Sequence, residues 1–524
     1  MSVRSSLALA ALAFLAAPTA LNAQADALPE LPDSSGWGVH VLTVQRDPAG
    51  AIWVGTYGKG IFRLRPGEQH WDVIRQDTTD TSISWDFVHA FGFGAEGQIW
   101  YGTIGNGWGL STDDGRTWRN WTFGQLGPEW QYVAPGGIAV RGDTVVVATA
   151  DGLQVTTDDG IHWTALVDTT GPAALGPADT ALAVLREEYV TGLTWDEDGI
   201  LIRNPSGWQR LRVEDGQWRS VPVGEDPSLE PAQVEVGEVA YRPSPCGLRP
   251  AAQAALPCIT AEAPMSTPPE QPKTTWFERP IGPEDNRYID QTYRYGSTMG
   301  GNFQQHQGVE FNNSDGTPVM AIGSGTVLYA GPAEAGALTV GIRHDTTVMT
   351  TDGSRAVFSV YYHNSALLVE PGDRVETGQV ISRVGNTGRA TNDHMHLEVH
   401  VAPADSIGAV VDSLERYPPY TTNPELWIKP LKGGIVAGRV LDADGEPVRQ
   451  AHVYGLRKDH PRETPFSFVE TYDDRAHPHP LYQENFAIGD VPPGEYTLGV
   501  EVDGRRIYRR IVVEPNKVTW VEFR

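Results

Sequence analysis

Two closely spaced histidines lie in the segment 393–398, DHMHLE. In a β-strand, successive side chains point to opposite faces, so His394 and His396 would share one face. Upstream, His306 and Glu310 form a His-x-x-x-Glu pair. Imidazole nitrogens and carboxylate oxygens are ligands that zinc prefers, and three protein ligands with one open position are typical of a catalytic zinc. These residues therefore predict a hydrolytic zinc site.

The elements that would position these residues are strands. The segment 273–430 contains short apolar runs separated by glycines, as at 319–322, 326–329, 357–362 and 380–381. Few stretches in it show the 3.6-residue period of an amphipathic helix, which favours a mostly β domain.

A different, repetitive region precedes this domain, over residues 34–223. IWVGT at 52–56, IWYGT at 99–103 and VVVAT at 145–149 recur at intervals of 46 to 47 residues. Each repeat contains short alternating apolar runs split by Gly and Asp, which indicates small antiparallel strands, and a period of this length is typical of propeller blades. A fourth, degraded unit is expected through Trp195, Trp208 and Trp218. Because four blades are the lower limit for a closed propeller, the sequence leaves ring closure open.

A second repeated element in this region is STDDGRTW at 111–118, which returns as TTDDGIHW at 156–163. It resembles the Asp-box hairpin of sialidase-like and photosystem-assembly-like propellers, in which aspartate and tryptophan lock a turn. We interpret these residues as structural, and the sequence predicts no particular ligand for the propeller-like region.

The remaining segments complete a multidomain, mostly β chain. Residues 1–25 have a charged start, an apolar core and a small-x-small end, as in a secretory signal peptide. Residues 224–272, rich in Pro, Ala and Glu, are expected to be a linker or irregular collar. Residues 433–524 alternate again between turn signals and predict a small β-sandwich. Through GRVLD at 438–442, GEPV at 445–448 and VPPGEY at 491–496, this segment resembles the carboxypeptidase regulatory-like domains. Separate cores are therefore expected for the propeller-like region and for the segment 273–430.

Charge and cysteine content narrow the function further. The net charge is −26, from 40 Lys+Arg against 66 Asp+Glu, which argues against a nucleic-acid partner. No apolar run is long enough for a transmembrane helix. Cys246 and Cys258 are the two cysteines, and in an exported chain a disulfide between them is the first expectation.

Another His-x-His pair, His477 and His479, differs from the candidate zinc site. It lies in a proline-broken loop, and both histidines are interpreted as solvated.

Motifs in collinear order surround the site residues. They are HQGVEF at 306–311, GTPV at 316–319, YH at 362–363, GDRV at 372–375, GQVI at 378–381, GNTG at 385–388 and DHMHLEV at 393–399. Together they resemble the lysostaphin/LytM-type zinc metalloendopeptidases, most of which cut peptide bridges in peptidoglycan. The resemblance covers roughly residues 276–430 and implies a β-rich, duplicated-hybrid-motif peptidase domain.

Carried over to this sequence, the resemblance makes His306 and His396 zinc ligands and places Glu310 where the family usually has aspartate. Glutamate is a competent zinc ligand, although one methylene longer. The resemblance also makes His394 the catalytic base and His363 the assisting, non-ligand histidine. Zinc would acidify its bound water and polarise the scissile carbonyl, while a histidine takes up the proton.

The function expected from these features is that of an exported zinc metalloendopeptidase. Its substrate, the peptide part of peptidoglycan, comes from the resemblance alone. Two alternatives stay open: a noncatalytic cell-envelope scaffold or regulator that binds partners through the propeller-like region, and a protease of glycine-rich proteins. Zinc content and the effect of changing His396 distinguish the first, and a panel of peptides distinguishes the second.

Overall fold

A computed structural model describes residues 27–169, 175–204, 207–223, 232–266, 276–301, 303–390, 392–412, 414, 416–456 and 468–524. Within these ranges the chain is mostly β, as predicted, with two short α-helices, α1 (Phe123–Trp130) and α2 (Ile407–Val410). Neither helix has the length and apolar character that crossing a bilayer requires. The signal peptide predicted at 1–25 lies outside the described residues.

The region 34–223 forms consecutive sheets, each built from strands that follow one another in the chain. The first comprises β1 (Val41–Arg46), β2 (Ile52–Thr56), β3 (Ile61–Leu64) and β4 (Asp72–Ile74). The second comprises β5 (Val88–Phe93), β6 (Ile99–Thr103), β7 (Trp108–Ser111) and β8 (Arg119–Trp121). The third comprises β9 (Val133–Arg141), β10 (Thr144–Thr149), β11 (Gly152–Thr156), β12 (Thr164–Val167) and β13 (Thr180–Ala183). The fourth comprises β14 (Gly192–Asp196), β15 (Gly199–Asn204), β16 (Gly207–Glu214) and β17 (Gln217–Pro222).

Neighbouring sheets in this region pack through their apolar residues. Trp53 of the first sheet shares a buried cluster with Tyr101 of the second. Trp100 of the second sheet likewise shares a cluster with Trp163, next to the third. Successive sheets with shared cores are the local arrangement that the sequence repeat predicts, and their assignment as propeller blades stays a prediction.

The repeated turn at 111–118 is held by its aspartate. Asp113 Oδ1 accepts hydrogen bonds from the backbone N–H groups of Arg116 and Thr117 at 3.2 and 2.9 Å. Asp158 Oδ1 accepts the equivalent pair at 3.1 and 2.9 Å in the next repeat. Hydrogen bonds from the side chain and backbone of Thr117 lower the pKa of Asp113 to about 2. These contacts are local and agree with a structural role for the motif.

Part of the range 224–272, expected to be a linker or collar, is a folded sheet. It comprises β18 (Val234–Val236), β19 (Val239–Ser244) and β20 (Gly247–Pro250). Val234 and Tyr241 pack into a buried cluster with strands of the first sheet. Cys246 and Cys258 form a disulfide, as predicted. Three short strands without a long alternating pattern are difficult to detect in a proline-rich sequence.

The peptidase part contains one large sheet, in the order β21-β28-β25-β24-β23-β26, with β22, β27 and β29 paired at its sides. The strands are β21 (Val309–Asn312), β22 (Pro318–Met320), β23 (Gly325–Pro332), β24 (Leu338–Thr350), β25 (Gly353–Leu367), β26 (Arg374–Val375), β27 (Val380–Val384), β28 (His394–Ala402) and β29 (Thr421–Thr422). Strand β28 lies between β21 and β25, so strands on both sides position its side chains.

The C-terminal part has two sheets, in the orders β33-β30-β36 and β32-β31-β34-β35. The strands are β30 (Gly434–Val440), β31 (His452–Tyr454), β32 (Phe468–Glu470), β33 (Phe486–Val491), β34 (Gly494–Val502), β35 (Arg505–Val513) and β36 (Val518–Phe523). Val436 and Phe486 of one sheet share a buried cluster with Val453 and Leu498 of the other. This is the small β-sandwich that the alternation predicts.

Among the described residues, the propeller-like region and the peptidase part have separate main clusters of buried residues, and they also share a smaller cluster. Tyr57, Trp85 and Phe87 of the first region pack in one cluster with Met299 of the peptidase part. This cluster includes residues from turns and loops, whose tertiary contacts have no periodic signal in the sequence.

The interpretation of His479 as a solvated loop residue is wrong. The side chain is 1% exposed, and its ring centroid lies 4.5 Å from that of Trp427. Packing against the peptidase part buries this loop, which the prolines around it do not reveal.

Candidate active site

Strand β28 presents polar side chains on one face and apolar ones on the other. His394, His396 and Glu398 alternate with Met395 and Leu397, both of which are fully buried in the peptidase core. The alternation that the sequence predicts for the two histidines is therefore present. Burial of the apolar face fixes the strand register, because a slip of one residue would exchange the two faces.

The neighbouring strands bring the other candidate residues to this face. Glu310 on β21 is paired directly with His396 across the ladder, and Tyr362 on β25 is paired with His396 from the other side. His306 lies just before β21, where its ring stacks on Tyr293 with 4.1 Å between ring centroids.

Gly308 lets the His306–Glu310 segment approach β28 closely. A Cβ atom at this position would lie 2.3 Å from the backbone oxygen of Leu397 and 2.6 Å from His396 Nε2. Any larger residue would therefore push the segment away from the histidine. Close packing against β28 therefore requires glycine at this position of the His-x-x-x-Glu motif.

Three of the predicted ligands converge in a geometry that suits zinc. His306 Nε2 lies 3.2 Å from His396 Nδ1 and 3.2 Å from Glu310 Oε1. Atoms that bind one tetrahedral ion at about 2.1 Å are separated by roughly 3.4 Å. Candidate ligand atoms of His306, Glu310 and His396 all lie within 4.8 Å of one another. The residues present fit a zinc ion.

The two remaining predicted residues lie beside this group. His394 Nε2 is 3.6 Å from Glu310 Oε1 and, among the described residues, has no hydrogen-bond partner although it is buried. The ring centroid of His363 lies 4.8 Å from that of His394. His363, His394 and His396 form a second group whose nitrogens lie within 4.8 Å of one another. All five residues thus meet at one place.

Carbonyl oxygens orient both non-ligand candidates. His394 Nδ1 is 2.8 Å from the backbone oxygen of Asn392, and His363 Nδ1 is 2.7 Å from that of Thr387. Because a carbonyl can only accept, Nδ1 carries the hydrogen in each ring. In the neutral form each Nε2 is therefore an acceptor. His363 adopts this orientation with a φ of 63°, which non-glycine residues rarely adopt.

The electrostatics of the site favour an anionic Glu310 and a neutral His363. Burial acts to raise the pKa of Glu310, but the charge of His394 and the hydrogen bond and charge of His306 outweigh it and hold that pKa well below its usual value. Burial, assisted by His394 and His396, holds the pKa of His363 well below its usual value. Glu310 is therefore the negative charge closest to the convergence point.

Glu398 and His400 are functional candidates that the sequence reasoning missed. Glu398 Oε1 lies 3.3 Å from His396 Nε2, and Glu398 Oε2 lies 2.8 Å from His400 Nε2. Burial acts to raise the pKa of Glu398, but the hydrogen bonds from His396 and His400 lower it to about 2. A carboxylate on the far nitrogen of a metal-binding histidine is a common way to fix its orientation. The sequence could have indicated both residues, since Glu398 and His400 continue the period-2 pattern of His394 and His396.

A cavity of about 620 Å³ opens onto the histidines. One wall comes from the peptidase part and the other from the first region, through Trp85, Ile104, Phe123 and Tyr132. Trp85 packs edge-on against Phe303 of the peptidase part, with 5.6 Å between ring centroids. The first region therefore contributes directly to the surface around the site.

Comparisons with known proteins identify the domain that contains these residues. Residues 304–408 match the sequence profile of Peptidase family M23. The chain is 35% identical over 98 residues to the peptidoglycan DD-endopeptidase ShyC of Vibrio cholerae, covering 19% of this chain and 21% of that protein. It is 36% identical over 107 residues to the glycyl-glycine endopeptidase ALE-1 of Staphylococcus capitis, covering 20% of this chain and 28% of that protein.

Among solved structures, the catalytic domain of lysostaphin from Staphylococcus simulans is 30% identical, with 24% of this chain and 85% of that one covered and a TM-score of 0.18. The segment matched by the family profile is a metallopeptidase domain. More specifically, residues 304–408 belong to a peptidase M23 domain of the lysostaphin/LytM type, so the predicted enzyme class, a zinc metalloendopeptidase, and the zinc cofactor are confirmed for this domain. The match spans only about a fifth to a quarter of the curated relatives.

Proposed function

We propose that this protein is an exported zinc metalloendopeptidase that hydrolyses peptide cross-links of peptidoglycan. The observation that carries the proposal is the convergence of His306 Nε2, His396 Nδ1 and Glu310 Oε1 beside His394 Nε2, which is buried and has no hydrogen-bond partner in the described part of the chain. The names of the matched relatives, a peptidoglycan DD-endopeptidase and a glycyl-glycine endopeptidase, support a peptide bond of the cell wall as the substrate. The same names support action outside the cytoplasm.

In this proposal His306, Glu310 and His396 hold the zinc, and Glu398 keeps the ring of His396 oriented. Bound zinc would supply Lewis acidity and lower the pKa of a coordinated water. The alternative group of His363, His394 and His396 offers no carboxylate and therefore no charge to match a dication. For that reason we assign Glu310, and not His363, to the metal.

The remaining histidines have separate roles in the proposed reaction. His394 Nε2 accepts a proton from the attacking water, because its Nδ1 hydrogen is engaged with the oxygen of Asn392. The lowered pKa of His363 favours its neutral form, in which it cannot bring a positive charge next to the metal. His363 therefore assists by orienting polar groups of the substrate. Burial of the His394 ring limits the access of bulk water to the nitrogen that accepts the proton.

The cavity supports a peptide substrate. About 620 Å³ lies within the range of sites that bind small ligands or short peptide segments. Its aromatic wall offers Trp85 and Phe123, of which Phe123 is 47% exposed and so available for contact. We propose that the first region assists the peptidase by binding the substrate strand beside the scissile bond.

The test is digestion of purified peptidoglycan with zinc measured in the same preparation. The full chain should release new amino termini at cross-links, detected by mass spectrometry of the products. His394→Ala should retain zinc and lose hydrolysis, whereas His396→Ala should lose both. Zinc binding with no hydrolysis of peptidoglycan or of a glycine-rich peptide panel would instead favour the noncatalytic scaffold.

A further inference from the structure

A second cluster of metal-binding groups lies where the first region meets the peptidase part. Asp151 lies in the turn between β10 and β11, Glu188 lies between β13 and β14, and Asp393 directly precedes β28. Their side chains are 2%, 4% and 6% exposed, and one oxygen from each lies within 4.8 Å of the others. Three carboxyl groups from distant parts of the sequence thus meet in a buried space.

Such a cluster is unfavourable unless positive charge or protons compensate it. Like charges at this distance in a partly desolvated site repel strongly. Burial, with the charges of Asp168 and Asp393, raises the pKa of Glu188 to about 8. Both charges that act most strongly on Glu188 are therefore negative, and Asp168 brings a fourth carboxyl to the edge of the cluster.

Glu188 provides an independent indication of a ligand. In the part of the chain that the structure describes, its Oε1 atom is buried and has no hydrogen-bond partner. Buried carboxylate oxygens are rarely left unsatisfied, because the lost hydration is not replaced. By contrast, Asp393 Oδ2 accepts a hydrogen bond from the Asp315 N–H at 3.0 Å. One oxygen of the cluster is thus held by backbone, and the Glu188 side chain is hydrogen-bonded to Asp168, while its Oε1 atom stays open to a further ligand.

We propose that Asp151, Glu188 and Asp393 bind a divalent cation of the oxygen-preferring class, with calcium as the first choice and magnesium as the second. Calcium binds carboxylate oxygens at about 2.3–2.6 Å, so two of its ligands can be separated by up to roughly 4.8 Å. The three oxygens fall within this span. The donor set contains only oxygen, whereas the histidine site also offers nitrogen, which zinc prefers.

The position of the cluster determines what the cation would do. Two ligands come from the first region and the third is next to His394, so one ion would join the two parts beside the active site. It would hold the start of β28 and stabilise the wall that the first region adds to the cavity. These three residues are positioning residues in this proposal and do not touch the substrate.

The experiment is equilibrium dialysis of the zinc-loaded full chain against radioactive calcium at pH 7.5, with zinc measured in every sample. Wild type should bind one calcium per chain, displaced by excess magnesium, and calcium should raise its melting temperature by several degrees. Glu188→Gln and Asp151→Asn should each bind calcium at least tenfold more weakly while retaining zinc. Two variants are used so that the failure of one to fold does not decide the result.

The matched control is Glu484→Gln, which changes another buried carboxyl whose pKa burial also raises to about 8. It should bind calcium like wild type. Absence of calcium and magnesium binding in wild type would overturn the proposal and indicate that protons compensate the cluster. Equal calcium binding by wild type and both cluster variants would also overturn it. Because zinc and hydrolysis are measured separately, these outcomes are independent of the proposed peptidase activity.

Discussion

Glu310 and His396 are directly paired across the β21–β28 ladder, so a carboxylate and an imidazole of the proposed metal site lie on adjacent strands. This pairing determines how much a change in side-chain length can be tolerated. The ladder holds both backbones in place, and the missing Cβ of Gly308 lets the two segments lie close together. The reach of the carboxylate is therefore set by the side chain alone.

The first prediction concerns the charge and length of Glu310. Glu310→Gln removes the negative charge that helps to hold a dication, and it should lower zinc affinity by more than the roughly 10- to 100-fold that loss of an outer partner costs. Glu310→Asp keeps the charge but shortens the arm, so we expect an intermediate loss. Two quantities should fall in the order wild type, Glu310→Asp, Glu310→Gln. They are the zinc retained after dialysis and the rate of hydrolysis. Wild-type zinc retention in Glu310→Gln would exclude Glu310 from the ligand set.

The second prediction concerns Glu398, which holds the far nitrogen of His396 at 3.3 Å. Glu398→Gln should weaken zinc binding or hydrolysis by roughly 10- to 100-fold, because the ring of His396 loses its anionic partner. Glu370→Gln makes the same substitution at an exposed site in the same domain and serves as the control. A zinc titration with a competing chelator measures the effect. If both variants bind zinc equally, Glu398 has no part in orienting the ligand.

The third prediction concerns the wall that the first region adds to the cavity. Phe123→Ala removes an aromatic ring that lines the cavity and is 47% exposed. Loss of about 1 kcal/mol of apolar contact should raise KM for a cross-linked peptide about fivefold. The value of kcat should stay within about twofold, since Phe123 is assigned neither to the metal nor to proton transfer. Ile161→Ala, at an apolar side chain that is 69% exposed elsewhere in the same region, should leave both values unchanged. An unchanged KM in Phe123→Ala would show that this wall does not contribute to substrate binding.

The site was predictable from sequence where its residues follow a strand period. His394 and His396 share a face because β28 is a strand with a buried opposite side, and the same rule extends to Glu398 and His400. The approach of His306 was not predictable by that rule. It depends on a loop, on the missing Cβ of Gly308 and on stacking against Tyr293, none of which has a periodic signal.

In the overall fold, too, local features were predictable from the sequence and contacts between distant segments were not. The repeats at 52–56 and 99–103 predict successive sheets because each repeat is one local unit with its own turns. Contacts between distant segments, such as those that bring Asp151 and Asp393 together, depend on the packing of whole sheets. Local composition does not encode them, and for that reason the shared core around Trp85 was missed.

The fourth prediction concerns pH and Glu484 in the C-terminal sandwich. Burial raises the pKa of Glu484 to about 8 from an unfolded value of 4.5. The folded state therefore binds this proton more tightly than the unfolded state, so the contribution to stability is complete below pH 4.5 and is lost as pH rises towards 8. Over this range the group should lower the free energy of unfolding by up to about 1.4 kcal/mol for each pH unit.

Glu484→Gln should remove this contribution, because the amide cannot ionise. Gln also retains an oxygen that can accept from the His479 N–H, which donates to the carboxyl at 3.1 Å. In urea unfolding at pH 6 and pH 8, wild type should lose more stability between the two pH values than the variant does. Glu446→Gln, at an exposed site of the same sandwich, should show the wild-type pH dependence. If all three proteins share one pH dependence, Glu484 is ionised to the same extent in the folded and unfolded states, and burial has not shifted its pKa.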